Sequence, residues 1–525
     1  MRPLLAQEWL LLLWLSGQRR HNLLWMPAFQ YDRDVRDDEF IARVRRHAPS
    51  SLVPLVAQVA AQYWEPHSWL RGDYRDYKKF TPWALADIAR ISLVSGNESR
   101  KPATRDDLLR CAGAYAAQVD LKPSEGGEDD PLVGFLLRIG HEQLVYNQSR
   151  YHDLGRSAAI FDQTAPTKPL QVLDGNWIED LLGCSISQFV GIGFVAHTAA
   201  VKNNGRFLED WLDDPALSAL TSKIPIQLMR DVVEGKFVGD LPFFQAERPV
   251  FRPSKQRRYT FNPLLDKPIV SGIGESRLVP VPGMIDRKIS PLGLWYMGFE
   301  KWGTPFADDV GELFEQYVGR QLKLIPDVVV HPEIVYNNQQ NRSVDWIVVG
   351  EHAVVLVEVK STRPTEPIRL GASTAFSALG KKLGKAYGQI ETSNDKIAQR
   401  DSAFNAIPDT LPRIGLIVTM EDFPIANTPM IRGALNISPS IPICVCSSEE
   451  LEILVTITDE PVDKFLLDFL NDPNKPGWSL TNDVREPKHA HRSNEVLADA
   501  WKSYGWGIRP QDDEQAASGE FETSE

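Results

Sequence analysis

Cysteine is scarce in this chain of 525 residues, which contains Cys111, Cys184, Cys444 and Cys446. None of the four forms a Cys-x-x-Cys pair, and Cys444 and Cys446 are too close in sequence for an ordinary bridge. This spacing argues against a cysteine zinc site and against a disulfide-stapled secreted fold. We therefore expect a protein of the reducing cytoplasm.

Long apolar runs are also missing. The run at residues 9–15 is short, follows Glu8 directly and has Arg2 as the only basic residue before it. A signal peptide carries a basic segment ahead of its apolar run, and a membrane-spanning helix needs about 20 apolar residues. The pattern predicts a buried first helix and no contact with a membrane.

An overall positive charge is absent as well, because the formal net charge is −13. Such a balance argues against a protein that coats nucleic acid through bulk electrostatics, although a local basic cleft remains compatible with it. With 43% hydrophobic and 24% charged residues, the composition is that of an ordinary globular protein. The length suits two or three domains.

The most informative stretch is residues 343–360. Two β-branched, apolar runs, 343–349 and 353–359, flank a predicted tight turn. A strand as apolar as the second is buried on both faces, where a charge is costly unless it has a role. Glu358 and Lys360 nevertheless end this strand on one face. Antiparallel pairing puts Asp345 opposite about residue 357, and therefore next to Glu358.

This grouping of two carboxylates and an ammonium suits phosphodiester hydrolysis. Carboxylates are hard ligands for Mg²⁺, which lowers the pKa of a bound water and stabilises charge on a phosphate. A neighbouring lysine orients the water or offsets charge in the transition state. The alternative interpretation is a surface hairpin with a solvated ion pair.

At Asp345, Glu358 and Lys360 the sequence resembles the PD-(D/E)XK nuclease superfamily, in which a carboxylate on one strand and Asp/Glu-x-Lys on the next form a metal site. Val344 stands where the pattern usually has proline. The resemblance covers about residues 300–460. It implies a restriction-endonuclease-like α/β domain with a central mixed sheet flanked by helices. It also implies that Asp345 and Glu358 bind Mg²⁺ or Mn²⁺ and that Lys360 positions or activates the water.

A helix predicted at residues 305–322 precedes the hairpin. Its apolar spacing puts Glu315 at the edge of the buried face and Glu312 further toward solvent. Gly311 and Gly319 lie one turn to either side of Glu315 and leave space for an approaching group. In similar nucleases a Gly-x-x-Phe-Glu-like segment often supplies another metal ligand, so the resemblance implies this role for Glu315. A solvated helix-edge glutamate is the alternative.

Candidate phosphate contacts lie after the hairpin, where a helix is predicted at about residues 374–398. Residues 360–400 contain eight basic and three acidic side chains, a local excess that a phosphate-binding cleft needs. Lys382, Lys385 and Gln389 share one face of this helix. The resemblance implies that Gln389 lies near the scissile phosphate.

A second basic stretch, residues 251–261, places Arg257 and Arg258 beside aromatic residues. Phosphate contact competes here with the interpretation of a solvated, proline-rich linker, because proline interrupts regular structure.

These patterns predict a multidomain protein with a mainly α-helical N-terminal region and a following α/β domain. Residues 1–240 are predicted to form a helical domain with a possible sensor or target-recognition role, and residues 241–299 a proline-rich extended connector. The nuclease-like domain follows at residues 300–460. Residues 461–510 form a C-terminal extension, and residues 511–525 an acidic disordered tail.

We therefore expect a metal-dependent DNA nuclease, with RNA as an alternative substrate. Phage defence, restriction or repair, and action as a homodimer or with partner proteins of a defence system, are expectations by analogy. One rival is a catalytically inactive nuclease-fold module that binds nucleic acid or assembles with partners. A second makes the helical half a partner-binding scaffold and the main activity.

Overall fold

The computed structural model describes residues 35–506 except for 63–79, 119–136, 139, 143–148, 214–216, 250, 252–253, 255, 338–339, 362–368, 371–377, 424–425 and 476. The predicted first helix near residues 9–15 and the acidic tail lie outside the described residues.

Helices dominate the described part of the chain before residue 303. In chain order, α1 to α12 are Asp37–Val44, Pro49–Gln62, Pro82–Ser95, Arg105–Ala116, Arg150–Phe161, Trp177–Leu182, Ile186–Lys202, Ser218–Thr221, Ile226–Val232, Leu241–Gln245, Gly283–Ile289 and Pro291–Trp302. The later helices, α13 to α18, are Thr304–Leu322, Lys385–Ala398, Pro429–Ala434, Ser448–Leu454, Val462–Asn471 and Glu495–Ser503.

The strands form one larger sheet and two small ones. In chain order, β1 to β11 are Arg206–Phe207, Val238–Gly239, Ile269–Val270, Arg277–Leu278, Val329–Pro332, Val335–Tyr336, Asn341–Arg342, Trp346–Val349, Val354–Lys360, Arg413–Thr419 and Ile443–Ser447. The larger sheet has the order β11-β10-β9-β8-β5. It is mixed, because β5, β8 and β9 pair antiparallel whereas β9, β10 and β11 pair parallel.

Helices cover both faces of this sheet, and its central strands are accordingly mostly apolar. Every residue of β9 except Lys360 is buried. Val357 packs in one hydrophobic cluster with Phe314 of α13, and Leu356 packs in another with Ile390 of α14. The result is three layers, helix, sheet and helix, as expected from a mixed sheet flanked by helices.

The helical half shares its core with the sheet. The cluster on the α13 side also contains Phe189 of α7 and Trp501 of α18. The stretch 241–299, predicted as a proline-rich extended connector, contains α10, α11 and most of α12, and between α10 and α11 it contains β3, β4 and two short 3₁₀ turns. Pro242 and Pro291 lie in the first turns of helices, where the missing N–H of proline costs little, so these prolines start helices instead of preventing them.

A buried ionic network also joins the two halves. Arg156 of α5 binds Glu452 of α16 through Nε and Nη2, at 2.5 and 2.8 Å. Tyr317 of α13 donates its hydroxyl to the same carboxylate at 2.6 Å. Although burial opposes it, Arg156 lowers the pKa of Glu452 to about 2. This network fixes α13, which carries Glu315, against both halves.

Among the described residues, the stretch Trp177–Lys202, which comprises α6 and α7, is long and apolar enough by length and composition to cross a membrane, whereas the sequence was expected to contain no such stretch. Most of it is buried inside the fold, as in a core helix.

Candidate active site

Asp345 and Glu358 come together through the pairing of β8 with β9. Trp346 pairs with Val357, so Asp345 lies opposite Glu358 itself, one residue beyond the predicted register. The backbone N–H of Val359 donates to Oδ2 of Asp345 at 2.7 Å. One oxygen of Asp345 is therefore fixed by the strand that carries Glu358.

Glu358 is fully buried, and its two oxygens differ. Oε1 accepts a hydrogen bond from the Lys360 ammonium, whereas Oε2 has no hydrogen-bond partner. Burial, and then the charge of Asp345, raises the pKa of Glu358 to about 8. A buried carboxylate oxygen without a partner is costly, and a bound cation would satisfy it.

Lys360 ends β9 on the α14 side of the sheet, with 22% of its side chain exposed. Its Nζ contacts Glu358 and lies 3.4 Å from Oε1 of Gln389 on α14. The structure thus brings Lys360 and Gln389 together. An ammonium with some access to solvent and two oxygen partners can hold a water or a phosphate oxygen in place.

Glu315 lies on α13, with 21% of its side chain exposed. Burial, and then the charge of Asp345, raises the pKa of Glu315 to about 7. Trp346 donates its indole N–H to the backbone carbonyl of Glu315 at 3.0 Å, which ties the helix to β8. The expected space beside Gly319 is filled, because a Cβ there would lie 2.1 Å from the Trp346 ring.

Glu312 is buried, although the sequence placed it toward solvent. Its Oε1 accepts hydrogen bonds from the N–H and the hydroxyl of Thr167, at 2.8 and 2.7 Å. Sequence reasoning missed this loop of the helical half. The available signal was the row of acids Asp309, Glu312 and Glu315, spaced three apart on one side of a helix.

Arg257 and Arg258 correct the prediction of a second phosphate contact. Arg257 is buried and forms ion pairs with Asp37 at 2.9 Å and with Asp87 at 2.6 Å. Arg258 pairs with Glu142 at 3.0 Å. The acids of the helical core hold both guanidinium groups as partners, so neither is available to a phosphate.

The remaining basic candidates lie beside α14. Lys385 is exposed at the first position of this helix. Lys382 lies in the preceding π-helical turn Gly380–Gly384, and its side chain is outside what the structure describes. Both stay predictions.

Within the described ranges, one other group could hold a metal: Asp459, Glu460 and His489, whose ligand atoms lie within 4.8 Å of one another. Oδ2 of Asp459 lies 3.0 Å from Nδ1 of His489, and its Oδ1 accepts the N–H of Ala490 at 3.0 Å. Both oxygens of Asp459 therefore have partners without an ion.

The carboxylate oxygens of Asp345, Glu358 and Glu315 do not all lie within 4.8 Å of one another in the described structure. Mg²⁺ does not require a closed protein cage, because it commonly keeps several waters and binds through one or two carboxylates and the substrate phosphate. Asp345 and Glu358 fit this requirement, and the unpartnered Oε2 of Glu358 is the group that such an ion would satisfy.

Comparisons with protein-family models, with curated proteins and with solved structures found no match for this chain. The resemblance to the nuclease superfamily therefore rests on the residues of this sequence alone.

Proposed function

We propose that this protein is a metal-dependent nuclease of the PD-(D/E)XK type that hydrolyses phosphodiester bonds of DNA. One observation carries the proposal. A fully buried glutamate, Glu358, keeps one oxygen without a partner at the end of a rigid hairpin, between Asp345 and Lys360. Most buried carboxylate oxygens have a partner, and a cation bound at this end of the hairpin would supply one for Oε2 of Glu358.

The sheet supports a restriction-endonuclease-like fold for about residues 300–460. Its strands run antiparallel from β5 to β9 and parallel from β9 to β11, between α13 and α14. The candidate residues lie directly before β8, on β9 and on both flanking helices. This distribution is compatible with the fold that the resemblance implies.

The donor set fits a divalent cation. Three carboxylates lie close enough for Asp345 to raise the pKa of both Glu358 and Glu315, after burial as the larger cause. Asp345 and Glu358 would hold Mg²⁺ or Mn²⁺, with Glu315 at the edge. When bound, the ion lowers the pKa of a water and stabilises charge on the phosphate.

The protein's own residues orient the reaction. Asp345 is held by the N–H of Val359, so its carboxylate is positioned before substrate arrives. Lys360, which contacts Glu358 and Gln389, positions or activates the attacking water and offsets charge in the transition state.

The choice of DNA, with RNA as an alternative, and a role in phage defence, restriction or repair follow from the resemblance. The basic excess of residues 360–400 supports a polyanionic substrate despite the net charge of −13. Action as a homodimer would allow both strands of a duplex to be cut. The inactive binding module is the rival, but it leaves the filled positions Asp345, Glu358 and Lys360 without a purpose.

The test is a cleavage assay with Mg²⁺ or Mn²⁺ on linear duplex, supercoiled, single-stranded and branched DNA and on RNA. We expect the wild type to cut at least one DNA form and Lys360→Ala to lose cleavage while its circular dichroism spectrum remains that of the folded wild type. Binding without cleavage by the folded, metal-supplied wild type would instead favour the binding module.

A further inference from the structure

A loop of the helical half, residues 162–176 between α5 and α6, runs along α13. The Asp309 carboxylate accepts the backbone N–H groups of Gln171, Val172 and Leu173, at distances of 2.6–2.9 Å. Glu312, one turn further along α13, accepts the N–H and the hydroxyl of Thr167. Hydrogen bonds to buried carboxylates are strong, so the loop is held firmly against this helix.

The same side of α13 continues to the candidate site. Asp309 and Glu312 hold the loop, and the next acid at the same spacing is Glu315. Glu315 lies close enough to Asp345 for the Asp345 charge to raise its pKa. The helix that supplies the third carboxylate therefore also places the loop beside the site.

Lys168 of this loop reaches both Glu312 and Glu315. Its Nζ lies 3.1 Å from Oε2 of Glu312 and 3.8 Å from Oε2 of Glu315, while 53% of its side chain is exposed. Pro166 and Pro169 flank the Thr167-Lys168 pair. Proline fixes its own φ angle and restricts the residue before it, so the backbone of Lys168 has little freedom. The loop presents one ammonium to solvent at the edge of the site.

We propose that Lys168 is a substrate-binding residue whose ammonium contacts a phosphate of the nucleic-acid backbone beside Glu315. This inference rests on the proposed function. It makes the helical half a part of the nuclease site and not only a platform for it. The contact is electrostatic and independent of base sequence.

The charges around the site support this role. At this edge of the site Lys168 is the cation beside Glu312 and Glu315. Its ammonium offsets the negative charge of these carboxylates, which would otherwise repel a phosphate.

A purely structural role for Lys168 has less support. The loop is already held by the hydrogen bonds from Thr167 to Glu312 and from residues 171–173 to Asp309. An ion pair as exposed as that of Lys168 contributes little to stability.

The experiment compares wild type with Lys168→Ala and Lys168→Arg. The control is Lys223→Ala, which changes an exposed lysine in the turn after α8. Binding of fluorescein-labelled duplex and single-stranded DNA is measured in Ca²⁺ at several salt concentrations, and KM and kcat are measured in Mg²⁺. We expect Lys168→Ala to raise Kd and KM about three- to tenfold and to reduce the salt slope of log Kd by about 0.7–0.9, the contribution of one phosphate contact. Lys168→Arg keeps most of the binding, and Lys223→Ala behaves as wild type.

If the salt slope of log Kd is the same for Lys168→Ala and for wild type, the proposal is overturned. A change in the Mg²⁺ concentration needed for half-maximal cleavage would not rescue it. If Lys168→Ala unfolds at a lower temperature, Lys168→Gln provides the same comparison, because it removes the charge and keeps a hydrogen-bond donor for Glu312. Absence of both binding and cleavage by the wild type would instead contradict the proposed function itself.

Discussion

Replacement of Glu358 by glutamine should stabilise the metal-free protein. Burial, followed by the Asp345 charge, raises the pKa of Glu358 from 4.5 to about 8. The folded protein therefore holds this proton more tightly than the unfolded chain, and its free energy of unfolding falls as pH rises from 4.5 through about 8. Glutamine keeps the size of the side chain and cannot lose a proton, so it removes this loss.

The magnitude follows from the same difference. Each tenfold change in an acid dissociation constant corresponds to about 1.4 kcal/mol, which gives an upper limit of about 5 kcal/mol for an isolated group. Asp345 and Glu315 titrate together with Glu358, and Lys360 compensates part of its charge. We therefore expect about 2 kcal/mol of added stability for Glu358→Gln near pH 8.5, and much less near pH 5.

Thermal unfolding at pH 5.5 and 8.5, with and without Mg²⁺, measures this effect. At ten times its Kd, Mg²⁺ should stabilise the wild type by about 1.4 kcal/mol, and Glu358→Gln should gain much less. Glu450 is the matched control: it is also buried, but it accepts hydrogen bonds from the Ser447 N–H and the Thr481 hydroxyl, both at 2.7 Å. Glu450→Gln should destabilise the protein.

A Glu358→Gln protein that is less stable than wild type at both pH values and gains as much stability from Mg²⁺ would contradict this prediction. Glu358 would then be a satisfied structural residue and not a metal ligand.

Three further predictions concern the network, the arginines and pH. Arg156→Met should lower the free energy of unfolding by about 3–5 kcal/mol in a denaturant titration, since it leaves Glu452 charged and buried without its main partner; a loss below about 1 kcal/mol would contradict this. Arg257→Ala should destabilise by a similar amount while DNA affinity per folded molecule stays unchanged, and a smaller salt slope of binding would show that Arg257 contacts phosphate after all. The Mg²⁺ concentration that half-saturates the shift in unfolding temperature should fall as pH rises from about 6 to 9, because Glu358 and Glu315 must lose their protons to bind metal; a flat profile would argue against these ligands.

Local patterns in the sequence predicted the elements around the site well. The helix expected at residues 305–322 is α13, Thr304–Leu322, because its helical apolar period is clear. The strands of the hairpin were also expected, and only their register differs by one residue. The turn sets the register: Val349 pairs with Val354, which puts Asp345 opposite Glu358.

The misses involve partners that are distant in sequence. Glu312 was placed toward solvent because nothing near it indicates that Thr167, 145 residues away, packs on α13. The prediction that Arg257 contacts phosphate was wrong for the same reason, since its partner Asp87 is 170 residues away. The apolar period of a helix predicts on which face a charged residue lies. It does not predict which distant segment packs against that face.

The most direct test of the central claim is the rate of Mg²⁺-dependent cleavage by wild type, Asp345→Asn and Asp459→Asn on the best substrate. Both substitutions keep the size of the side chain, and each removes one carboxylate from one of the two candidate metal groups. We predict that Asp345→Asn lowers the rate at least about a hundredfold, in the range of removing one preorganised charged group, and that Asp459→Asn cuts as wild type. Cleavage that persists in Asp345→Asn, or is lost in Asp459→Asn instead, would contradict the account.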